Sequence, residues 1–265
     1  MRWLFDIGLA VYAVALVLSI VGLISKHRLF DKLATICMSA GVGVQTAYIL
    51  ARWEAAGRPP FSNMFESLVL FAWAVAAIYL LLRIKINLPV LAAPSALMSA
   101  LVLAYASTFG FEIQPLVPAL QSNWLSFHVF TCFLGYGGFA VSFLASVGFL
   151  MIYRTGSTPV SATQETLESV LARTVSFGFI FLTLGIITGA VWANSAWGSY
   201  WTWDPKEVWS LITWLIYAVF LHCKFMRGWR GRRAAWISII GFVSVLTTYV
   251  GVNLLMEGLH SYGSK

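Results

Sequence analysis

The chain has 265 residues, of which 60% are hydrophobic and only 10% charged, with a formal net charge of +7 and a mean hydropathy of +0.82. So little polar surface cannot coat a soluble globule of this length, and the composition is that of a polytopic membrane protein. Nucleic acid is excluded as the reason for the positive charge, because the cations sit in short clusters between apolar spans, where orientation in a bilayer is cause enough. Cys37, Cys132 and Cys223 lie scattered in apolar runs, so they form no CxxC pair and no disulfide framework, and each reads as a small buried hydrophobe.

Eight apolar spans follow in order. The first covers about residues 5 to 25, with Asp6 at its start and Lys26-His27-Arg28 at its end; no short leader with a cleavage site precedes it, so the expectation is a chain mature from Met1. Span two, about 33 to 53, closes on Arg52-Trp53 before a loop containing Gly57-Arg58-Pro59-Pro60. Asn63 with Glu66 three residues later is a helix start, launching span three over about 64 to 82. Span four runs from about 89 to 106, with Pro89 and Pro94 making its first turns irregular. Span five, about 124 to 153, exceeds the roughly 20 residues a bilayer requires and carries His128 in its first turns. Residues 155 to 172 are polar, and Thr163 to Ala172 is expected to lie along the cytoplasmic membrane surface as a short amphipathic segment. Span six is about 173 to 193, span seven 205 to 225, and span eight 234 to 255. The whole of 1–265 reads as one all-α integral membrane helical bundle, without internal repeat or soluble domain.

Orientation follows from counting cations in alternating loops. Twelve of the 17 Lys and Arg fall on one side, among them the run from Lys224 to Arg233, and five on the other, namely Arg2, Arg52, Arg58, Lys206 and Lys265. The positive-inside rule puts the twelve in the cytoplasm, so both termini, His128 and His260 are expected on the outer side.

Between spans six and seven lies the segment Trp197-Gly198-Ser199-Tyr200-Trp201-Thr202-Trp203-Asp204-Pro205-Lys206-Glu207, in an expected outer loop. Six of the twelve tryptophans fall between Trp192 and Trp214. An interface belt also gathers tryptophan, so enrichment alone decides nothing. A belt does not, however, require Asp204, Pro205 and Glu207 in the order of a capped helix start: side-chain cap, proline at the first helical position, and a carboxylate reaching back. The tryptophans before it form a ledge held above span seven.

Of the four histidines, His128 and His260 fall on the same outer face as this ledge, one just inside span five and one just after span eight. A lone interfacial histidine is ordinarily a polar tip in the headgroup region. Two beside a tryptophan ledge suit a shared ligand, and imidazole is a good iron ligand for a haem whose flat apolar ring tryptophans and Gly198 would cover. His222 lies about 25 Å down span seven by the helical rise. It is read either as functional, because ionisable groups in spans are rare, or as snorkelling toward Lys224. No second span histidine is available to it, so as a haem ligand it needs a partner on another polypeptide. His27, between Lys26 and Arg28, reads as a solvated loop residue. Arg58 and Lys206 face outward and are candidates for meeting haem propionates, and they fit equally as loop charges.

The segment Trp197 to Glu207 resembles the WWD signature of the haem-handling superfamily at every fixed position. The run Trp203 to Trp209, Leu221-His222, Asn253-Leu254-Leu255, Gly258 to Gly263, Asn123-Trp124 with His128, Leu134-Gly135-Tyr136 and the stretch from Ser62-Asn63 to Glu66-Ser67 are similar to the CcsA/ResC branch. The resemblance implies the integral-membrane component of a system II cytochrome c synthase, of haem lyase type, active with a ResB/CcsB-type membrane protein. It implies haem b as substrate and transient ligand, export of that haem, and attachment outside the cytoplasmic (inner) membrane to the CxxCH motif of apocytochrome c, on the periplasmic or exterior face. By the same resemblance His128 and His260 ligate haem at the outer site and, with Asp204, are its catalytic residues. His222 ligates haem in the membrane, and Trp197, Gly198, Trp201, Trp203, Asp204 and Glu207 contact it. Thiol reduction is expected from a separate thiol-reducing pathway, since the chain has no CxxC. The competing reading is a haem transporter or chaperone of the same superfamily without ligation activity.

Overall fold

The computed structural model describes residues 1–153 and 161–256, and among these every regular element is helical. The helices are α1 (Arg2–Ser25), α2 (Arg28–Ala56), α3 (Met64–Lys85), α4 (Ala92–Ala106), α5 (Asn123–Ile152), α6 (Ala162–Trp197), α7 (Pro205–Met226), α8 (Arg232–Leu246) and the short α9 (Val252–Leu255). A π turn, Thr247–Gly251, joins the last two. Eight helical segments are long and apolar enough to cross a membrane, so the chain is a multi-pass membrane protein. They cluster into two compact units, Met1–Pro115 and Leu116–Lys265.

In the first unit α3 is the central element. Its apolar residues point in all directions and it is buried on nearly every face from Met64 to Tyr79, as expected of a helix sheathed by others. Helix α1 packs on α2 and α4. The α1–α2 approach depends on Gly41, where a Cβ would lie 2.5 Å from the ring of Tyr12. The Tyr12 hydroxyl donates to Gln45 Oε1 (2.7 Å), and Gln45 Nε2 donates to the Val69 carbonyl (2.8 Å), joining three helices through buried polar groups. Arg52, expected to mark the end of span two, is instead buried inside α2. Its Nε donates to Glu66 Oε1 (3.0 Å), and its other nitrogens donate to the carbonyls of Phe111 and Glu112. His27, expected as a solvated loop residue, is exposed and also caps α2, its Nδ1 accepting from the Leu29 N–H.

In the second unit α5 and α6 run antiparallel in contact along their length. Gly189, Gly185 and Gly178 of α6 meet His128, Cys132 and Phe139 of α5 in turn. The residues expected as a surface-lying segment, Thr163 to Ala172, belong to α6 itself, a single helix of 36 residues. The reason is burial: Leu167, Val170 and Leu171 are fully packed, so the polar residues between them form the outer face of a standing helix rather than the upper face of a lying one. Residues 155 to 160 of that expected segment lie outside the described residues. A ladder of hydroxyls joins α7 to α8 and the π turn, Thr213 Oγ1 lying 2.7 Å from Ser244 Oγ and 3.1 Å from Thr248 Oγ1. Trp214 Nε1 ties α7 to Thr183 of α6 (2.9 Å).

Candidate functional site

The start of α7 is built as its residue order dictates. Asp204 accepts from the Lys206 N–H (3.0 Å), Pro205 occupies the first helical position, and the Glu207 carboxylate reaches back to the Asp204 N–H (3.3 Å), completing a capping box. Glu207 does more than cap. Its Oε2 also accepts the Thr202 N–H (2.7 Å) and both its oxygens lie 3.3 Å from the Thr202 hydroxyl, so one buried carboxylate holds the whole loop down. At the other end of the loop Gly198 terminates α6 in the left-handed region (φ 78°), the conformation glycine adopts at least cost.

Between these two helix ends opens a cleft with about 740 Å³ of space not filled by protein atoms, counting the solvent at its open mouth. Its walls come from three helices, the loop and the π turn: His128, Phe133 and Tyr136 of α5; Leu182, Ile186 and Gly189 of α6; Tyr200 and Trp201; Lys206, Glu207 and Ser210 of α7; and Thr248 and Tyr249 of the π turn. The lining is mostly apolar, with polar groups drawn from α5, α7 and the π turn.

His128 is held in one orientation. Its Nδ1 lies 2.7 Å from the carbonyl oxygen of Gly185, which can only accept, so Nδ1 carries the proton and in the neutral ring the lone pair sits on Nε2. Trp192 stacks parallel to the imidazole (centroids 6.2 Å apart, 15° between planes), and Trp197 packs edge-on against Trp192 at 4.9 Å. Trp192 is fixed in turn by a hydrogen bond from Nε1 to the Ala119 carbonyl (2.9 Å). Gly189 makes the arrangement possible, since a Cβ there would lie 2.5 Å from His128 Nδ1. Trp203 differs from its neighbours: it is 69% exposed and holds φ at 62°, uncommon for any residue but glycine, with its ring edge-on to Trp201 at 5.8 Å.

The structure therefore brings His128, Trp201 and Glu207 to one cleft, with Asp204, Trp197 and Gly198 forming its framework. His222 is not part of it. It lies on the last turns of α7, exposed, in line with the exposed apolar residues Leu215 and Val219 one and two turns earlier. His260 lies outside the described residues. Arg58 is committed elsewhere, its guanidinium donating to Pro59 O, Ser62 Oγ, Glu66 Oε2 and Gln114 O. Lys206 does reach the cleft, where its Nζ donates to Asn253 Oδ1 (2.9 Å). Sequence reasoning did not single out Trp192, Ser210, Thr248 or Tyr249 as site residues. Trp192 stood within the tryptophan cluster, whereas Thr248 and Tyr249 are turned into the cleft by a π turn that leaves no mark in the residue pattern.

Residues 61–260 match the family model described as cytochrome c assembly protein. The chain is 44% identical over 225 residues to the cytochrome c biogenesis protein CcsA of Chlamydomonas reinhardtii, and 42% identical over 251 residues to that of Synechococcus sp. strain CC9902. It belongs to the CcsA family. The matched region is 81% of this CcsA-family chain and 64% of the Chlamydomonas relative, and 82% of both chains in the Synechococcus comparison. Among solved structures, the cytochrome c haem lyase CcmF superposes on 97% of the CcsA-family chain with a TM-score of 0.71 at 19% identity. That match spans 46% of the CcmF chain and is a likeness of fold.

Proposed function

We propose that this chain is the haem-exporting and haem-attaching membrane subunit of a system II cytochrome c synthase, presenting haem in the cleft between α5, α6 and α7. The observation that carries the reading is His128: an imidazole in the wall of the cleft whose Nδ1–H is fixed by the Gly185 carbonyl, the kind of support that orients a metal-binding histidine. The cleft fits such a substrate. It is mostly apolar and approached by Trp201, the His128 ring in its wall is backed by the parallel Trp192 ring, and the glycine at 189 leaves room for that imidazole to stand against α6.

Each residue has a task in that reading. His128 and His260 bind the iron at the outer site. Trp197 and Gly198 frame the loop, Trp201 and Trp203 cover the macrocycle, and Asp204 with Glu207 hold that cover at a fixed height over α7. Lys206 reaches the cleft with an ammonium suited to a propionate, whereas Arg58 is spent on its own unit. Bound haem b supplies the vinyl groups to which the two thiols of a CxxCH motif add. The chain's contribution is to hold substrate and apocytochrome in register, where positioning is the main source of rate. Reduced thiols come from a separate thiol-reducing pathway. His222, exposed on a membrane-spanning face, would hold haem together with a residue of a ResB/CcsB-type partner. The cleft faces the periplasm or cell exterior of the cytoplasmic (inner) membrane, and both termini lie on that side.

The test is co-expression with a ResB/CcsB-type partner and a CxxCH apocytochrome, measuring covalent haem on the cytochrome. Wild type is expected to yield product, while His128→Ala and His260→Ala lose it. Product at wild-type level from both variants would remove the outer site. Bound haem with no covalent product, reductant being supplied, would favour the transporter reading instead.

A further inference from the structure

The turn from α7 to α8 and the first turns of α6 build two adjoining open clefts that haem handling leaves unused. One is walled by Glu168, Arg173 and Ser176 of α6 with Lys224, Phe225 and Arg230; the other by Tyr153, Arg227, Trp229, Arg232 and Arg233. They share Glu165, Glu168 and Arg230, and together they are lined by six cations and two acids. Lys224 Nζ is already paired with Glu168 Oε1 at 2.5 Å. Arg232 and Arg233 lie over the rings of Tyr153 (5.6 Å) and Trp229 (5.5 Å). Arg173, Arg227 and Arg230 are exposed at the cleft walls. Gly228 and Gly231, both at φ 63°, fold the intervening turn back so that the Trp229 N–H donates to the Cys223 carbonyl (3.0 Å). Five arginines line these clefts against two glutamates, and an anion between them would offset the excess positive charge.

A second feature says which anion. Large apolar side chains are exposed at or near the same chain positions: Phe225, in the wall of the first cleft, is 65% exposed, Met226, next to Arg227 in sequence, 75%, and Met151, two residues before Tyr153, 81%. In a multi-pass membrane protein such side chains meet acyl chains, and Trp229 and Tyr153 are the aromatics typical of the headgroup level. Arginine forks match phosphate oxygens two at a time. A ligand with a phosphate for the arginines and acyl chains for Phe225, Met226 and Met151 satisfies both features at once. We propose that these clefts form a binding site for the phosphate of an anionic phospholipid, with Arg173, Arg227 and Arg230 as its principal ligands. The inference does not depend on the haem reading, because neither His128 nor His222 lines these clefts.

The test is native mass spectrometry of the delipidated full-length protein in detergent, titrated separately with phosphatidylglycerol, cardiolipin, phosphatidylcholine and inorganic phosphate. Retained adducts are expected with the two anionic lipids at concentrations where phosphatidylcholine gives none. Affinity should fall about fivefold for each arginine removed, so about 25-fold in the Arg173→Gln/Arg230→Gln double variant. Lys85→Gln, which neutralises an exposed cation of the other unit, is expected to leave the adducts unchanged. If the double variant does not purify as a single species, the two single variants carry the test. Equal adducts in variants and wild type would overturn the site. Displacement of phosphatidylglycerol by inorganic phosphate at the same concentration would also overturn it, making it a free-anion site without a lipid requirement.

Discussion

At the scale of single residues, the site rests on contacts that leave no room for substitution. A methyl group at position 189 would lie 2.5 Å from His128 Nδ1 and push the imidazole off the Gly185 carbonyl. Gly189→Ala is therefore expected to weaken haem binding by about 10–100-fold, the usual cost of losing the group that orients a metal-bound histidine. Spectral titration of the purified protein measures this, and added imidazole should restore part of the loss. Trp203 makes a complementary case. Neither packing nor backbone preference accounts for an indole that is 69% exposed at φ 62°. Trp203→Gly removes a backbone cost of about 1–2 kcal/mol, so the thermal midpoint should hold or rise while covalent haem attachment falls. A lower midpoint with unchanged attachment would make Trp203 a structural residue. The capped start at Asp204, Pro205 and Glu207 was legible in the sequence because it is local, each partner lying within three residues. The stacking of Trp192 on His128 was not, since it joins positions 64 residues apart that only the antiparallel α5–α6 pairing brings together.

Among the elements, the helix starts and apolar runs were readable, and what escaped was the use made of charge. Arg52 and Arg58 read as loop cations, yet both converge on the fully buried carboxylate of Glu66. Asn63 caps α3 as its position suggests, accepting from the Glu66 N–H at 2.8 Å. The Glu66 carboxylate, expected to reach back in the manner of a capping box, turns to the Ser62 N–H and the two arginines. Glu66→Gln keeps the shape and removes the charge, leaving two guanidinium groups without their counterion. A loss of about 3–5 kcal/mol is expected, read as a lower thermal midpoint and poorer recovery from membranes. The joining of Thr163 to Ala172 with span six in α6 makes a different prediction. Proline inside a helix costs about 3 kcal/mol or more, whereas proline at a hinge between a surface segment and a span costs little. Ala172→Pro should thus destabilise the protein by the larger amount, again by thermal unfolding.

For the whole molecule, the eight spans were legible because each is an uninterrupted apolar run of sufficient length. The boundary between the two units was not, since the loop holding Pro115 looks like any other interhelical connection. The loop charges predict that cysteines placed at Tyr200 and at Trp229 react differently with a membrane-impermeant maleimide. In intact cells the first should label and the second should label only after lysis; the reverse pattern would invert the topology. At roughly 54 Å by its helical rise, α6 outreaches a hydrocarbon core of about 30 Å and stands clear of the bilayer by several turns. The π turn at Thr247–Gly251 has a subtler effect. A widened turn holds one residue more than α-helical winding would, and so sets the azimuth of everything after it. Regular α-helical winding of the same five residues would swing those that follow by about 100° and carry Asn253 off Lys206, whereas deleting Val250 would remove the extra residue and let α winding resume with Asn253 still facing Lys206. The last helix is in this sense phased: its angular register, more than its depth, decides what its C-terminal residues face.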